Sequence, residues 1–573
     1  MTGFTRTGRD ILIPRAHRLV VFAETKRHPH ALRQLSAYLP EACLEVVDAG
    51  SARGIREVVA EKKPHWLVFL LDRSSAGIAD FPDSRELDSL PEDAILLRSG
   101  SWGGLPALII AGGGCTGTIY AVNELGHRHL KIDKESIRIS DLNIRQIPAL
   151  PYRLLWTWDH STNWYLEQTG IQEIGALNYY SKPKDGFLQD CHRLVDFMSL
   201  NRIGGVTIYG FLRDNHGGIE AAKELCRYAT ERGVRILAGV GINAYGGIYW
   251  EGNHKYNLSH WLKRHPELRA RIDKPIAFHI PELPDLWFPE SQYSDTACPS
   301  KPQNARYHEE AIAWLSETFA IGGINFETGD YGVCGCPDCA RRRAGDETWS
   351  LRDQALLYPR LFEAAKKHRK DLWLVSEAYW DNILNLDALA PLSELPDEAI
   401  YQFCFNRSYW PKLKRDLNAD LVKKQPRSKN ILRTHMGSQW NHERYELVAS
   451  RFAEMMQLAV ETGLQGATIF GEVSSFSVVN EINYLAFSRF GYNQELTWDS
   501  FVTHDLGSLL GGEEAARRYL ALVVCREGEV TLLRAVAEAR DISRQMSGDS
   551  QVRWDWLVTR LNRKRFTLQT GCR

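Results

Sequence analysis

The sequence predicts an α/β protein: a (β/α)8 TIM barrel, preceded by a small α/β domain and followed by a helical C-terminal segment. Three observations carry this reading. From residue 151, eight short and nearly all-apolar runs alternate with helical patterns, the rhythm of a parallel sheet buried on both faces. They extend over about 340 residues, enough for a barrel of about 250 with insertions. The chain before them repeats the alternation on a smaller scale, and beyond about 490 the apolar spacing is helical.

The small domain is assigned to residues 1–148. Within it "HRLVVFAE", "CLEVVDA" and "HWLVFLLD" read as strands, with "HALRQLSAYL" and "ARGIREVVAEK" as helices between and after the first two. "ALIIAGGGCTGTIYAVNELGHRHL" then gives strand, glycine turn and helix. Gly112, Gly114 and Gly117 match the spacing of a dinucleotide fingerprint. That fingerprint belongs at the first strand of its domain, and here it comes late. A tight turn that lets a helix pack on the sheet is the simpler reading.

The barrel is assigned to 149–490. Its strands read "YRLLWTWDH" (152–160), "GGVTIYGF" (204–211), "VRILAGVGIN" (234–243), "GGINFETGD" (322–330), "LWLVSEAYW" (372–380), "AIYQFCFN" (399–406), "NILRTHMG" (430–437) and "GATIFGEV" (466–473). A Gly-, Pro-, His- and Trp-rich insertion follows the third, at about 244–305. Residues 491–573 form the helical C-terminal region, with patterns such as "GEEAARRYLALVVC".

Bulk properties narrow the function. The 573 residues carry a formal net charge of −1, so no basic field draws nucleic acid or an anionic membrane. The start of the chain lacks the apolar core of a secretory signal, and no run of 18 apolar residues suggests a membrane span. Eleven cysteines, an odd number set mostly inside apolar runs, suit reduced thiols. A cytoplasmic protein is expected, without nucleic-acid or membrane partners; a homo-oligomer is compatible with all of this. Seventeen tryptophans, many in polar company, suit both core packing and the stacking of sugar rings.

Barrels place their chemistry at the C-terminal ends of the strands. Those ends hold Trp158, Asp159 and His160 on strand one, Asn243 on strand three and Glu327 and Asp330 on strand four. Glu377, Tyr379 and Trp380 follow on strand five, Arg407 on strand six, His435, Trp440 and Glu443 on strand seven and Glu472 on strand eight. Glycoside hydrolysis needs two carboxyl groups about the scissile bond, or one with a substrate amide as nucleophile. The acid is therefore expected to be Glu327 or Asp330, with Glu377, Glu443 and Glu472 as further carboxylate candidates. Arg153, Trp158, Asp159, His160, Asn243, Tyr379, Trp380, Arg407, His435 and Trp440 are expected to hold the sugar. A structural alternative stands beside this: Glu377 or Glu472 could pair with an arginine such as Arg153 inside the barrel.

After strand four come Cys334, Cys336 and Cys339. Three thiolates lack one ligand for a tetrahedral structural zinc, and Cys298 in "DTACPS" could supply it. The alternative is a cysteine-lined turn without metal. A catalytic zinc would need an open position and would more usually employ histidine or carboxylate; no cofactor is required by the expected chemistry.

The glycine turn and the Tyr-containing helix that ends in Leu-Gly resemble the end of the small domain in family 20 hexosaminidases and family 67 α-glucuronidases. "YRLLWTWDHSTNW" resembles the start of the family 67 barrel, and "SLNRIGGVTIYGF…RYATERGVRILAGVGIN" is similar to its second and third strands. The likeness covers roughly residues 100–330. It implies a small α/β domain, a barrel and a glycosidase activity, with the acid after strand four, where Glu327 and Asp330 stand. The family 67 base-side carboxylates follow strands six and seven. Here "FCFNRSYW" has no acid and "HMGSQWNHE" offers only Glu443. The Asp-Glu pair of family 20 is also absent. "GDYGVCGCPDC" and "LVSEAYWD" resemble family 163 endo-β-N-acetylglucosaminidases. The expected function is an exo-acting glycosidase on an oligosaccharide ending in a uronic acid or N-acetylhexosamine. The alternatives are a non-catalytic carbohydrate-binding barrel and a zinc-dependent hydrolase.

Overall fold

The computed structural model describes residues 4–14, 18–39, 43–48, 55–75, 84–159, 184–244, 246–272, 295–327, 334–343, 351–378, 383–426, 429–437, 446–471, 477–525 and 528–570. Two compact units divide the chain. One takes in Met1–Pro151, Val195–Gly204 and Arg227–Val234; the other takes in Tyr152–Leu194, Gly205–Cys226 and Arg235–Arg573.

The first unit contains β1 (Phe4–Arg6), β2 (Ile11–Pro14), β3 (Arg18–Ala23), β4 (Cys43–Asp48), β5 (Trp66–Asp72), β6 (Ile95–Trp102), β7 (Leu105–Gly112), β8 (Leu130–Ile132), β9 (Ser136–Ile139) and β10 (Asn143–Gln146). The main sheet runs β1-β6-β7-β5-β3-β4, with β10 beside β6; β2, β9 and β8 form a second small sheet. Strands β4, β3, β5 and β7 are parallel and were legible as apolar runs; β6 pairs antiparallel with β7. Arg98, Ser99, Gly100 and Ser101 interrupt the apolar run of β6, which hid it. Val20, Phe22, Leu67, Phe69, Leu96 and Ile109 form the core of this unit, with Phe22 stacked on Phe69 at 5.4 Å.

The glycine turn after β7 is a packing device. A Cβ on Gly113 would lie 1.7 Å from the Pro91 carbonyl oxygen, and one on Gly117 2.2 Å from that of Ala94. Space that a dinucleotide fingerprint leaves for a pyrophosphate is filled here by the chain's own backbone. Helix Cys115–Glu124 follows, and at its end the Glu124 carboxylate is ion-paired with the buried Arg202 guanidinium. Arg202 also donates to Gln146 at 3.1 Å, which ties Val195–Gly204 into this unit.

The second unit is a closed barrel of eight parallel strands in chain order: β11 (Tyr152–Trp158), β12 (Gly205–Tyr209), β13 (Arg235–Gly241), β14 (Gly323–Glu327), β15 (Trp373–Ala378), β16 (Ile400–Phe405), β17 (Asn430–Thr434) and β18 (Gly466–Phe470). Closure comes from β18 pairing with β11, Phe470 opposite Trp156. All eight correspond to the apolar runs of the sequence. At the strand starts Leu154, Leu237, Val375, Ile400 and Ile431 pack together, with Tyr152 and Trp373 against them. These residues set the phase of five strands, and the ladders carry it to the other three: residues two and four further on share the lumen. Beyond the barrel, the Trp554 indole on helix Gly548–Thr570 is fully buried and donates to the Leu510 carbonyl at 2.9 Å. Arg553 clamps Glu481 through two hydrogen bonds of 2.9 and 2.8 Å. No helix among the described residues is long and apolar enough to cross a membrane.

Helix Pro302–Thr318 buries His308 completely, and burial pushes its imidazole down to about 4. An unfolded histidine takes up its proton near 6.5. Above that pH the imidazole is neutral in both states and makes no pH-dependent contribution; between 6.5 and about 4 the unfolded chain binds the extra proton. Stability is expected to fall with pH in that window, by up to about 1.4 kcal/mol per pH unit from this group. His308→Leu should flatten that part of the profile, read as urea midpoints at pH 7 and pH 5.

Candidate active site

Period-two alternation decides which side chains reach the lumen. On β11, Trp156 and Trp158 do. Trp156 stacks on Tyr209 of β12 at 4.5 Å and meets Phe470 of β18 at 4.4 Å; Trp158 stands edge-on to Trp250 at 5.6 Å. Gly239 on β13 makes room for this wall, since a Cβ there would fall 2.2 Å from the Tyr209 ring. Trp158 is thus a buried part of the lumen wall.

Arg153 is out of phase. It is fully buried on the outer face of β11, its guanidinium 5.1 Å over the Tyr492 ring of helix Val478–Tyr492. The expectation that Arg153 holds the sugar, or pairs with a carboxylate inside the barrel, is corrected: one residue of register separates it from the lumen.

A polar chain crosses the barrel above the apolar floor. Thr468 Oγ1 donates to Gln402 Oε1 at 2.6 Å, and Gln402 Nε2 donates to Asn325 Oδ1 at 3.2 Å. Asn325 Nδ2 donates to Glu377 Oε2 at 2.8 Å and to the Tyr209 hydroxyl at 3.3 Å. The Tyr209 hydroxyl donates to Glu377 Oε2 at 3.4 Å, and the Arg433 guanidinium is ion-paired with Glu377 Oε1. Arg433 lies over the rings of Trp156 and Phe470, at 5.2 and 4.8 Å. Glu377 is 0% and Arg433 2% exposed, so the pair is held away from solvent. Glu377 therefore finds its arginine in Arg433, not in Arg153.

Glu327 closes β14, 3% exposed and in phase with Asn325. Its neighbour is Tyr209, whose hydroxyl is hydrogen-bonded to it. Burial first, then the Glu327 charge, pushes the Tyr209 phenol well above its usual range, so it stays a neutral donor. One phenol therefore lies between two carboxyl groups, of which one is tied to an arginine, and its single proton serves one of them at a time. His435 stacks on Phe470 at 4.0 Å beside Arg433; burial and that cation hold its imidazole well below the usual range.

The rim is also paired. Asp159 receives Arg213 Nε at 2.8 Å and lies 3.4 Å from His216 Nε2; Arg213 Nη1 reaches Glu251 at 2.7 Å. Arg407 sits 3.4 Å from Glu446. Asn243, after β13, is 3% exposed, and its Oδ1 accepts no hydrogen bond from the described residues. The adjacent Ile242 N–H donates to the Glu327 carbonyl at 2.9 Å. His160, Asp330, Tyr379, Trp380, Trp440, Glu443 and Glu472 lie outside the described residues.

Cys298, Cys334, Cys336 and Cys339 come together, their sulfurs all within 4.8 Å of one another. The pairing of Cys298 with the C-x-C-x-x-C run was legible from the sequence. Tyr209, Asn325, Gln402, Arg433 and Thr468 were missed. A signal existed: Asn, Gln and Arg in the middle of "GGINFE", "AIYQFCF" and "NILRTH" must find partners if those strands are buried on both faces.

No protein-family model matches the chain, and no curated protein matches it in sequence. Solved structures do. It is similar to a GH138 enzyme targeting pectin rhamnogalacturonan II, at 14% identity and a TM-score of 0.52, over 88% of this chain and 54% of that one. It is similar to the Flavobacterium johnsoniae chitobiase at 11% identity and a TM-score of 0.50, over 95% of this chain and 75% of that one. At these identities the likeness is one of fold: a barrel with accompanying domains.

Arg433→Met removes the guanidinium that is paired with Glu377 and leaves a carboxylate buried in the lumen. The expected loss is about 3–5 kcal/mol of unfolding free energy. Adding Glu377→Leu should restore much of it, because two apolar groups then replace the pair. Urea unfolding of the two variants checks both statements.

Proposed function

We propose that the chain is a glycoside hydrolase that removes a terminal N-acetylhexosamine from an oligosaccharide, with Glu327 as general acid. The position of Glu327 at the end of its strand carries this reading. Glu377 is ion-paired with Arg433 and accepts from Asn325 and Tyr209. Glu327 ends its strand at the face where barrels do chemistry, essentially buried beside the Tyr209 phenol. As general acid, Glu327 would hold a proton before the sugar is cleaved and give it up as the leaving oxygen departs.

Two carboxyls bridged by one hydroxyl leave no room for a pyranose between them. Glu327 and Glu377 are therefore not the flanking pair of a two-carboxylate glycosidase. A single acid suffices when the sugar brings its own nucleophile. The acetamido oxygen forms a bond to C1 as the C1–O bond to the leaving group breaks, and Glu327 gives its proton to that leaving oxygen. Water then attacks C1 of the oxazolinium, reopens the acetamide and returns a proton to Glu327. Asn243 Oδ1, beside β14, offers an acceptor for the acetamide N–H. Asp330, Glu443 and Glu472 remain the carboxylates available to orient that group or the water.

A uronate would need a cation to spare. Three described arginines of the lumen and its rim are matched to acids: Arg433 to Glu377, Arg213 to Asp159 and Glu251, Arg407 to Glu446. That favours the acetamido sugar over the α-glucuronidase reading.

The test is turnover of aryl N-acetylhexosaminides beside the matching aryl glucosides and glucuronides. Cleavage is expected only where the acetamide is present. Glu327→Gln should lower kcat/KM by about 10²–10⁴ on a substrate with a poor leaving group, and far less where the leaving phenol needs no proton. Equal rates on the glucoside, or an undiminished Glu327→Gln, would sink the proposal.

A further inference from the structure

The four cysteines define a second site whose chemistry is independent of the lumen. Cys298 Sγ lies 3.5 Å from Cys334 Sγ, 3.8 Å from Cys336 Sγ and 3.7 Å from Cys339 Sγ. A disulfide needs about 2.05 Å and takes one partner; here one sulfur is nearly equidistant from three. A tetrahedron with sulfur arms of about 2.3 Å has edges of about 3.8 Å. Three of the four thiols are essentially buried, with Cys298 at 1%, Cys334 at 2% and Cys339 at 0% exposure. We propose that Cys298, Cys334, Cys336 and Cys339 bind one structural zinc ion in a closed tetrahedral site.

The surroundings suit a dianionic zinc-tetrathiolate. The Arg271 backbone N–H points to Cys334 Sγ at 3.3 Å, the Ser300 hydroxyl lies 2.9 Å from Cys339 Sγ, and Arg342 Nη2 lies 3.5 Å from it. Donors of this kind orient thiolates and spread their charge. Asp353 in turn fixes both neighbouring arginines: Arg342 Nε donates to it at 2.8 Å and Arg343 Nη2 at 3.3 Å. Arg343 Nη1 donates to the Cys334 carbonyl at 2.7 Å. Four protein ligands leave no coordination position for water or substrate, so the metal is a clamp and not a Lewis acid for hydrolysis.

What it clamps follows from the chain. Cys298 follows the insertion after β13, and the Ala297 N–H is anchored to the Asn243 carbonyl at 2.8 Å. Cys334 follows β14 by seven positions, with Asp330 between Glu327 and Cys334. One ion thus joins the segments that leave two adjacent strands at the face where Glu327 stands.

Metal content tests this without any substrate, so it stands or falls separately from the glycosidase reading. The full chain, purified from zinc-replete medium without chelator, is expected to carry about one zinc per chain by mass spectrometry. Cys298→Ser and Cys336→Ser should each retain less than about a tenth of that at micromolar free zinc. Should a variant fail to fold, native protein decides. Its four thiols should resist a thiol reagent until a chelator is added, then react as zinc is released. Cobalt loading should give the intense visible bands of a tetrahedral thiolate site. Wild-type protein with less than a tenth of an equivalent of zinc, or with the red colour of a tetrathiolate iron, overturns the proposal. So do four thiols that react freely before chelation.

Discussion

A carboxylate and a guanidinium meet in the middle of the barrel, at Glu377 and Arg433, both essentially out of solvent. Taking two such charges from water costs several kcal/mol each, and only close pairing with further hydrogen bonds offsets it. The neighbouring strands supply those bonds. Asn325 and Tyr209 saturate one carboxylate oxygen, while Gln402 and Thr468 extend the chain to the far side of the lumen. The strands that carry these side chains are thereby held in one register by more than their backbone ladders.

That constraint distributes roles among the acids. Because Glu377 takes the arginine, its charge is matched within the lumen. Glu327, reached by the same phenol, sits at the strand end. The aromatic wall of Trp156, Trp158, Tyr209 and Phe470 keeps the region poor in water and covers the Arg433 cation.

The rim shows the same matching of charge. Asp159, Arg213, His216 and Glu251 bind the strand ends of β11 and β12 to the insertion after β13. The cysteine cluster binds that insertion to the segment after β14. Ordering a loop that carries chemistry costs conformational entropy, and these contacts hold the ends of the loops on strands one to four.

Much of this was legible in one dimension. Eight apolar runs alternating with helical patterns specify a parallel barrel, because only strands covered on both faces can be apolar throughout. Cys298 could be joined to Cys334, Cys336 and Cys339 from the ligand count that a tetrahedral metal demands. Strand β6 was hidden by its polar interruptions, and Arg153 was misplaced because adjacent strand residues face opposite ways. Composition cannot tell Glu327 from Glu377, nor Arg153 from Arg433: each is an acid or a base in a barrel strand. Only the phase of each strand, set by the packed layer of Leu154, Leu237, Val375, Ile400 and Ile431, decides which charges share the lumen. The sequence by itself determined that a barrel forms and where its mouth lies; the tertiary structure decided which carboxyl group lies in phase with the Arg433 guanidinium and which arginine faces away from the lumen.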